Sequence, residues 1–188
     1  MARIFRILRG GVVLAAFFIL LALIAAKLDG TADTVMSGPF YAIDGDTLSA
    51  GGERLRLQGI DAPEIDQTCE DDRGMAWACG REARRLLAQL VTDPQTECLG
   101  RERDRYRRLL VRCRAGAAGI NAALVRQGLA IASGLYAEEQ AAARRERQGL
   151  WAGHFESPRD WRASRGMMEA PNLLETVVGW MKQMAGRG

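Results

Sequence analysis

Histidine and lysine are almost absent from this chain. His154 is the only histidine, and Lys27 and Lys182 are the only lysines. Among the cysteines, Cys69, Cys79, Cys98 and Cys113, no Cys-x-x-Cys pair occurs. These shortages argue against a zinc centre, whose ligands are clustered cysteines and histidines. They also leave arginine as the source of nearly all the positive charge. Arginine favours bidentate contact with carboxylate or phosphate, but an arginine-heavy, Ala/Gly-rich chain can equally follow from genome composition. The net charge of +3 is modest and does not by itself specify a nucleic-acid partner. No internal repeat or low-complexity tract stands out, and 188 residues fit one domain of ordinary size.

What is present begins at the N-terminus. Arg3, Arg6 and Arg9 precede GGVVLAAFFILLALIAA, an uncharged run over residues 10–26. Seventeen residues lie at the short edge of what spans a bilayer, and a basic flank before an apolar run also describes a signal peptide. The run ends without a clean small-x-small cleavage site, so an uncleaved anchor over 1–27 is the expectation. Secretion after cleavage is the alternative. Either way the positive-inside rule sends residues beyond about 30 across the membrane, where disulfides persist. The expected location is therefore the inner membrane, with the domain in the periplasm or outside. Four cysteines permit three pairings.

Residues 28–38 read as a polar linker, 39–165 as the folded domain and 166–188 as an amphipathic tail. FYAI (40–43), LSA and ERLRLQGI read as strands, the last two joined at Gly51-Gly52. Helical spacing follows over 75–91, then strands TECLG and RRLLVRC, then helices over 119–128 and through AEEQAAARRERQ. Strands first and helices interleaved later make an α+β layout around a small sheet or barrel. In the tail, Leu174, Val177, Val178, Met181 and Met184 fall near one helical face.

Three segments put unusual polar residues at strand ends. Asp44 and Asp46 follow the first strand, Asp61 and Glu64 the third, and Arg105, Tyr106, Arg107 and Arg108 open a later one. Each alone is weak: a DGDT turn is usually only a turn, and the EF-hand loop it resembles lacks its later ligands here. Together they describe a chemistry. Two carboxylates can hold a hard cation such as Ca²⁺, a third can deprotonate water, and two arginines can clamp a phosphoryl group. That set suffices for phosphodiester hydrolysis. Arg56 and Asp61 are five residues apart, so a straight strand would separate them, and Gly59 offers the bend that could join them.

IDGDT, RLQGIDAPE, DRYRR and INAALVRQGLA resemble, in order, four signature stretches of the staphylococcal nuclease (thermonuclease) family. The resemblance covers roughly residues 40–151, and WAGHFESPRDWR (151–162) is similar to an extension of exported bacterial members. It implies a five-stranded OB-type β-barrel with three helices, acting on single-stranded or locally melted DNA or RNA and leaving 3′-phosphate ends. Position by position, it implies Asp46, Asp61 and the carbonyl of Ala62 as Ca²⁺ ligands. Glu64 would be the general base, and Arg56 and Arg108 the phosphate clamps. Arg105, Tyr106 and Tyr136 would lie near the bound nucleotide. The chain departs from the family twice: Ala62 stands where threonine is common, and Arg107 where glycine is usual. A turn needing positive φ disfavours arginine, which could shift Arg108 and weaken catalysis. A non-catalytic module binding nucleic acid or another polyanion at the cell envelope is the competing reading, and the oligomeric state stays open.

The cysteines fit the same picture. Cys69 and Cys79 flank the acidic loop after Glu64, and Cys98 and Cys113 fall on what read as adjacent strands. The expected disulfides are Cys69–Cys79 and Cys98–Cys113.

Overall fold

The computed structural model describes residue 11 and residues 14–25 and 33–167. The expectations for the ends of the apolar run, for most of the linker and for the tail beyond 167 lie outside the described residues. Residues 14–25 form an exposed helix, α1. Among the described residues no helix is long and apolar enough to cross a membrane.

From Asp33 onward the chain builds an α+β domain on a curled, mixed sheet. In chain order come β1 (Thr34–Ser37), β2 (Tyr41–Ala42), β3 (Thr47–Ala50), β4 (Glu53–Leu57), β5 (Ile60–Asp61), β6 (Cys69–Glu70) and β7 (Ala76–Trp77). Then follow α2 (Cys79–Leu90), β8 (Thr96–Arg103), β9 (Leu109–Ala115), β10 (Ala118–Gly119), α3 (Ile120–Arg126), β11 (Ile131–Ala132), α4 (Ala137–Arg145) and α5 (Pro158–Ser164). The main sheet runs β1-β8-β9-β4-β3-β2, with β10 also on β9. Among the described strands only β4 and β9 pair in parallel.

The described chain thus has eleven strands and five α-helices, more than five and three. Two causes are visible. Short two-residue ladders, β5 with β11, β6 with β7 and β10 on β9, add strands beyond the main ones. In addition, residues 34–37, inside the stretch read as linker, pair with β8 as an edge strand. The 75–91 helix starts late, at Cys79, because Ala76 and Trp77 pair with β6 first.

The alternation in ERLRL does what its pattern requires. Leu55 and Leu57 turn into the core while Arg54 and Arg56 face away from it. Leu48, Leu55, Leu57 and Val111 meet Ala83 and Leu87 of α2 and Ile120, Leu124 and Val125 of α3, all essentially inaccessible. Each large apolar side chain so buried contributes about 1.5–3 kcal/mol. Buried Asn121 ties this core to the backbone, donating to the carbonyls of Gln58 and Val111 and accepting from Cys113 N. The disulfide Cys98–Cys113 bridges directly opposed residues of β8 and β9.

A smaller cluster lies beside this core. Cys69, Cys79 and Leu150 are buried with Trp77, Ile131 and Phe155 packed on them, around the disulfide Cys69–Cys79. It forms a shelf for the segment leading to α5. Glu70 N donates to His154 O at 2.8 Å, and Gln67, fully buried, donates from Nε2 to Glu156 O at 2.7 Å. Ser157 caps α5 by accepting from Asp160 N, Pro158 follows it, and Trp161 is buried.

Candidate active site

The site is assembled around Arg56. The β3–β4 register sets Thr47 opposite Arg56, which places Asp46 at the strand end beside the guanidinium. Asp44 shapes this entry by accepting from Asp46 N at 2.9 Å. After β4 the chain turns at Gly59, whose φ is +79°. A Cβ there would also meet Leu135 Cβ at 2.7 Å, so this turn requires glycine twice over. The turn folds β5 back, and Arg56 Nη2 reaches Asp61 Oδ1 at 3.0 Å. The five-residue spacing is thereby resolved: Arg56 bridges Asp61 and, through Nη1, Asp46 Oδ1 at 2.5 Å. Both carboxylates are buried.

Glu64 stands at the rim, its side chain 30% exposed. Its backbone is held from two sides. Gln67 Oε1 accepts from Glu64 N at 3.2 Å, and Gln67 N donates to Glu64 O at 2.8 Å. Gly80, at the start of α2, lies so close that a Cβ would fall on the Glu64 carbonyl.

A third guanidinium, absent from the sequence reading, completes the cluster. Arg162 of α5 places Nη1 2.8 Å from Glu64 Oε1 and 3.2 Å from Asp61 Oδ1, with Nη2 2.9 Å from Asp61 Oδ2. The signal for its helix was present in Ser157-Pro158-x-Asp160, a helix-start pattern. Nothing local in the sequence ties that helix to Asp61.

The profile of the family described as "Staphylococcal nuclease homologue" matches residues 54–153. The chain belongs to the staphylococcal nuclease family. It is 37% identical over 140 residues to the succinoglycan biosynthesis protein ExoI of Rhizobium meliloti (strain 1021), covering 71% of this chain and 73% of that protein. It is 31% identical over 131 residues to an uncharacterized endonuclease of Haemophilus influenzae (strain ATCC 51907 / DSM 11121 / KW20 / Rd), covering 63% of this chain and 68% of the relative. The domain is therefore of nuclease type. Within this staphylococcal nuclease-family chain, Asp46, Arg56, Asp61 and Ala62 lie inside the four-motif region and Arg162 beyond the matched profile.

Arg108 sits elsewhere in this family chain's constellation. Its Nε and Nη2 bind Asp104 Oδ2 at 2.7 and 2.6 Å. Among the described residues it has no hydrogen bond to Asp46, Asp61 or Glu64. Burial opposes the Asp104 charge, but hydrogen bonds from Arg108 outweigh it and hold that carboxyl below its usual range. Arg107 takes the glycine-like conformation at φ 65°, while Asp104 fixes the turn by accepting from both Tyr106 N and Arg108 N at 2.9 Å. An L-residue there costs about 1–2 kcal/mol, part of which glycine returns through its more disordered unfolded state. Arg107→Gly is accordingly expected to stabilise the protein by up to about 1 kcal/mol, read as a higher urea midpoint. A lower midpoint would show that the arginine side chain stabilises the turn.

The residues implied for the nucleotide divide into two places. Arg105 and Arg108 both lie over the exposed Tyr106 ring, 4.8 and 5.3 Å from its centroid. Tyr136 instead lines an open groove of ≈ 680 Å³ with Gln58, Leu110, Arg112 and Arg114. Partial burial raises the Tyr136 phenol above its usual value, although Arg112 opposes the rise.

Asp46 and Asp61 are the buried carboxylates that would hold a hard cation. Asp46 accepts from Thr47 Oγ1 and Arg56 on Oδ1, and from Ala62 N on Oδ2 at 3.0 Å. Asp61 accepts from Arg56 and Arg162 on Oδ1, and from Arg162 on Oδ2. A carboxylate offers about four acceptor positions, so the bonds described leave one on each Oδ2. Two carboxylate oxygens completed by water suit Ca²⁺. Among the described residues no three His, Cys, Asp or Glu side chains are grouped for metal binding, so water must fill much of the coordination shell. Ala62 enters the site through its amide. Burial pushes the Asp46 carboxyl up to about 7, against the pull of Arg56 and reinforced by Asp44.

Proposed function

We propose that this chain is a Ca²⁺-dependent endonuclease that hydrolyses DNA or RNA and leaves 3′-phosphate ends. The observation that carries the reading is Arg56 held between two buried aspartates, with the Glu64 carboxylate at the rim. A cation on Asp46 and Asp61, joined by the Ala62 carbonyl, would supply positive charge at the scissile phosphate. Arg56 donates to the phosphoryl oxygens as their charge grows, and Arg108 joins it by exchanging Asp104 for phosphate. Glu64 takes the proton of the attacking water. The new bond forms at phosphorus, the bond to the 5′ oxygen breaks, and that oxygen leaves as a 5′-hydroxyl by taking a proton from solvent water.

The remaining readings belong with this one. The curled sheet serves as an OB-type surface for single-stranded or locally melted polynucleotide, with Arg105, Tyr106 and Tyr136 beside the nucleotide. The apolar N-terminal segment anchors the domain outside the cytoplasm, in keeping with the disulfides Cys69–Cys79 and Cys98–Cys113.

The test is cleavage of single-stranded DNA by the full chain with Ca²⁺ and with excess chelator, the product ends being typed enzymatically. Cleavage with Ca²⁺, none with chelator, and 3′-phosphate ends are expected. Ca²⁺ affinity, followed by calorimetry, should weaken below about pH 7 as protons compete for the raised Asp46 carboxyl. Cleavage unaffected by chelator would refute the metal requirement.

One observation favours a second reading, a non-catalytic module that binds nucleic acid or another polyanion at the cell envelope. Arg108 is engaged by Asp104 rather than free to meet a phosphate. Tight binding of single-stranded DNA without cleavage, at every Ca²⁺ concentration, would select that reading.

A further inference from the structure

The C-terminal helix contributes to the site in a way that the four motifs do not announce. Two guanidiniums, Arg56 from β4 and Arg162 from α5, link Asp46, Asp61 and Glu64 in a chain of ion pairs. The two arginines divide these carboxylates unequally. Arg56 joins the two buried aspartates. Arg162 joins buried Asp61 to the rim carboxylate of Glu64, and no other side chain among the described residues hydrogen-bonds that carboxylate.

We propose that Arg162 is a positioning residue, its planar fork fixing the Glu64 carboxylate relative to Asp61. The inference rests on the nuclease reading for its consequence in turnover, and on geometry alone for the positioning itself. Three observations support it. The fork makes a two-point contact with Asp61, so its plane is set before it reaches Glu64. Arg162 is itself held in place: its side chain is only 26% exposed, and its neighbour Trp161 on α5 is buried in the domain. Finally, α5 is anchored to the same backbone that carries Glu64. Fully buried Gln67 accepts from Glu64 N with Oε1 and donates to Glu156 O with Nε2, one residue before the Ser157 cap.

Glu64 is thus fixed at its backbone by Gln67 and at its carboxylate by Arg162, and both connections lead to the same C-terminal segment. Without the guanidinium, a half-exposed glutamate after Pro63 samples several rotamers, and only a fraction aim at a water near Asp61. The substrate-facing groups are left intact, so the loss should fall on turnover rather than on binding.

The experiment uses the full chain as wild type, Arg162→Ala and Arg162→Lys, with added guanidinium chloride or tetramethylammonium chloride at matched ionic strength. Expected is about a hundredfold fall in kcat for Arg162→Ala, with KM within about threefold. Guanidinium should restore part of it and tetramethylammonium none, while Arg162→Lys, lacking the fork, should remain at least tenfold down. Hydrogen exchange without cation supplies a readout independent of activity. Amides of residues 62–67 should exchange faster in Arg162→Ala while those of β8 and β9 keep wild-type protection. Unchanged kcat in Arg162→Ala overturns the proposal. So does a loss that guanidinium cannot restore when exchange has risen throughout the sheet, which marks structural support only. If wild type cleaves nothing, the nuclease reading fails separately, and the exchange at 62–67 with and without guanidinium still decides whether Arg162 positions Glu64.

Discussion

Glu64→Gln is expected to lower the rate of phosphodiester cleavage by about 10²–10⁴-fold, the range that a positioned general base supplies. The substitution preserves shape. A glutamine oxygen can still accept from Arg162, and the backbone of residue 64 stays pinned by Gln67 and by the close approach of Gly80. What is lost is the negative oxygen that takes the proton from water. Because the side chain lies at the rim, its salt bridge contributes little to stability, and the urea midpoint should stay near wild type. The measurement is kcat beside the unfolding curve. Wild-type turnover in this variant would remove Glu64 from the role of base.

The second large effect is expected at Arg56, and it falls on stability as well as rate. Asp46 and Asp61 are both buried and share this guanidinium, whose side chain is only 22% exposed. Removing Arg56 leaves buried Asp46 without its ion-pair partner while Asp61 keeps Arg162, at a cost of up to about 3–5 kcal/mol. Arg56→Ala should therefore unfold at markedly lower urea and lose detectable cleavage. Arg56→Lys keeps the charge but lacks the fork that reaches both carboxylates, so it should recover part of the stability and little of the rate. Added Ca²⁺ should raise the midpoint of Arg56→Ala by more than that of wild type, because the cation replaces the missing positive charge between the aspartates. Equal stability of wild type and Arg56→Ala would mean that the aspartates need no neutralising partner.

Much of the site could be read from the chain because its parts are local. The alternation at 54–57 set Arg56 apart from Leu55 and Leu57. Gly59 marked the bend that brings Arg56 to Asp61, a bend the structure places at positive φ. The cysteine pairs followed from their positions on a loop and on neighbouring strands, and both formed. What escaped the sequence was tertiary. Arg162 lies 98 residues beyond Glu64, and no periodicity connects a short C-terminal helix to a strand end so distant. Gln67 carries no local signal in the sequence, yet it is fully buried between two segments. Arg107 was judged by the preference of its backbone conformation alone. The Asp104 carboxylate, which accepts two amides of that turn, offsets the strain and keeps its shape.

The docking of residues 150–162 on the Cys69–Cys79 shelf also bears on the order of synthesis. A chain is made from its N-terminus, so Asp46, Arg56, Asp61 and Glu64 all emerge long before Arg162. Until α5 is made, Arg56 is the one guanidinium of this cluster that the chain contains. Every strand of the main sheet thus precedes Arg162 in the order of synthesis. Proteolytic trimming just before Ser157 would return the mature protein to that juvenile state without touching the matched nuclease segment.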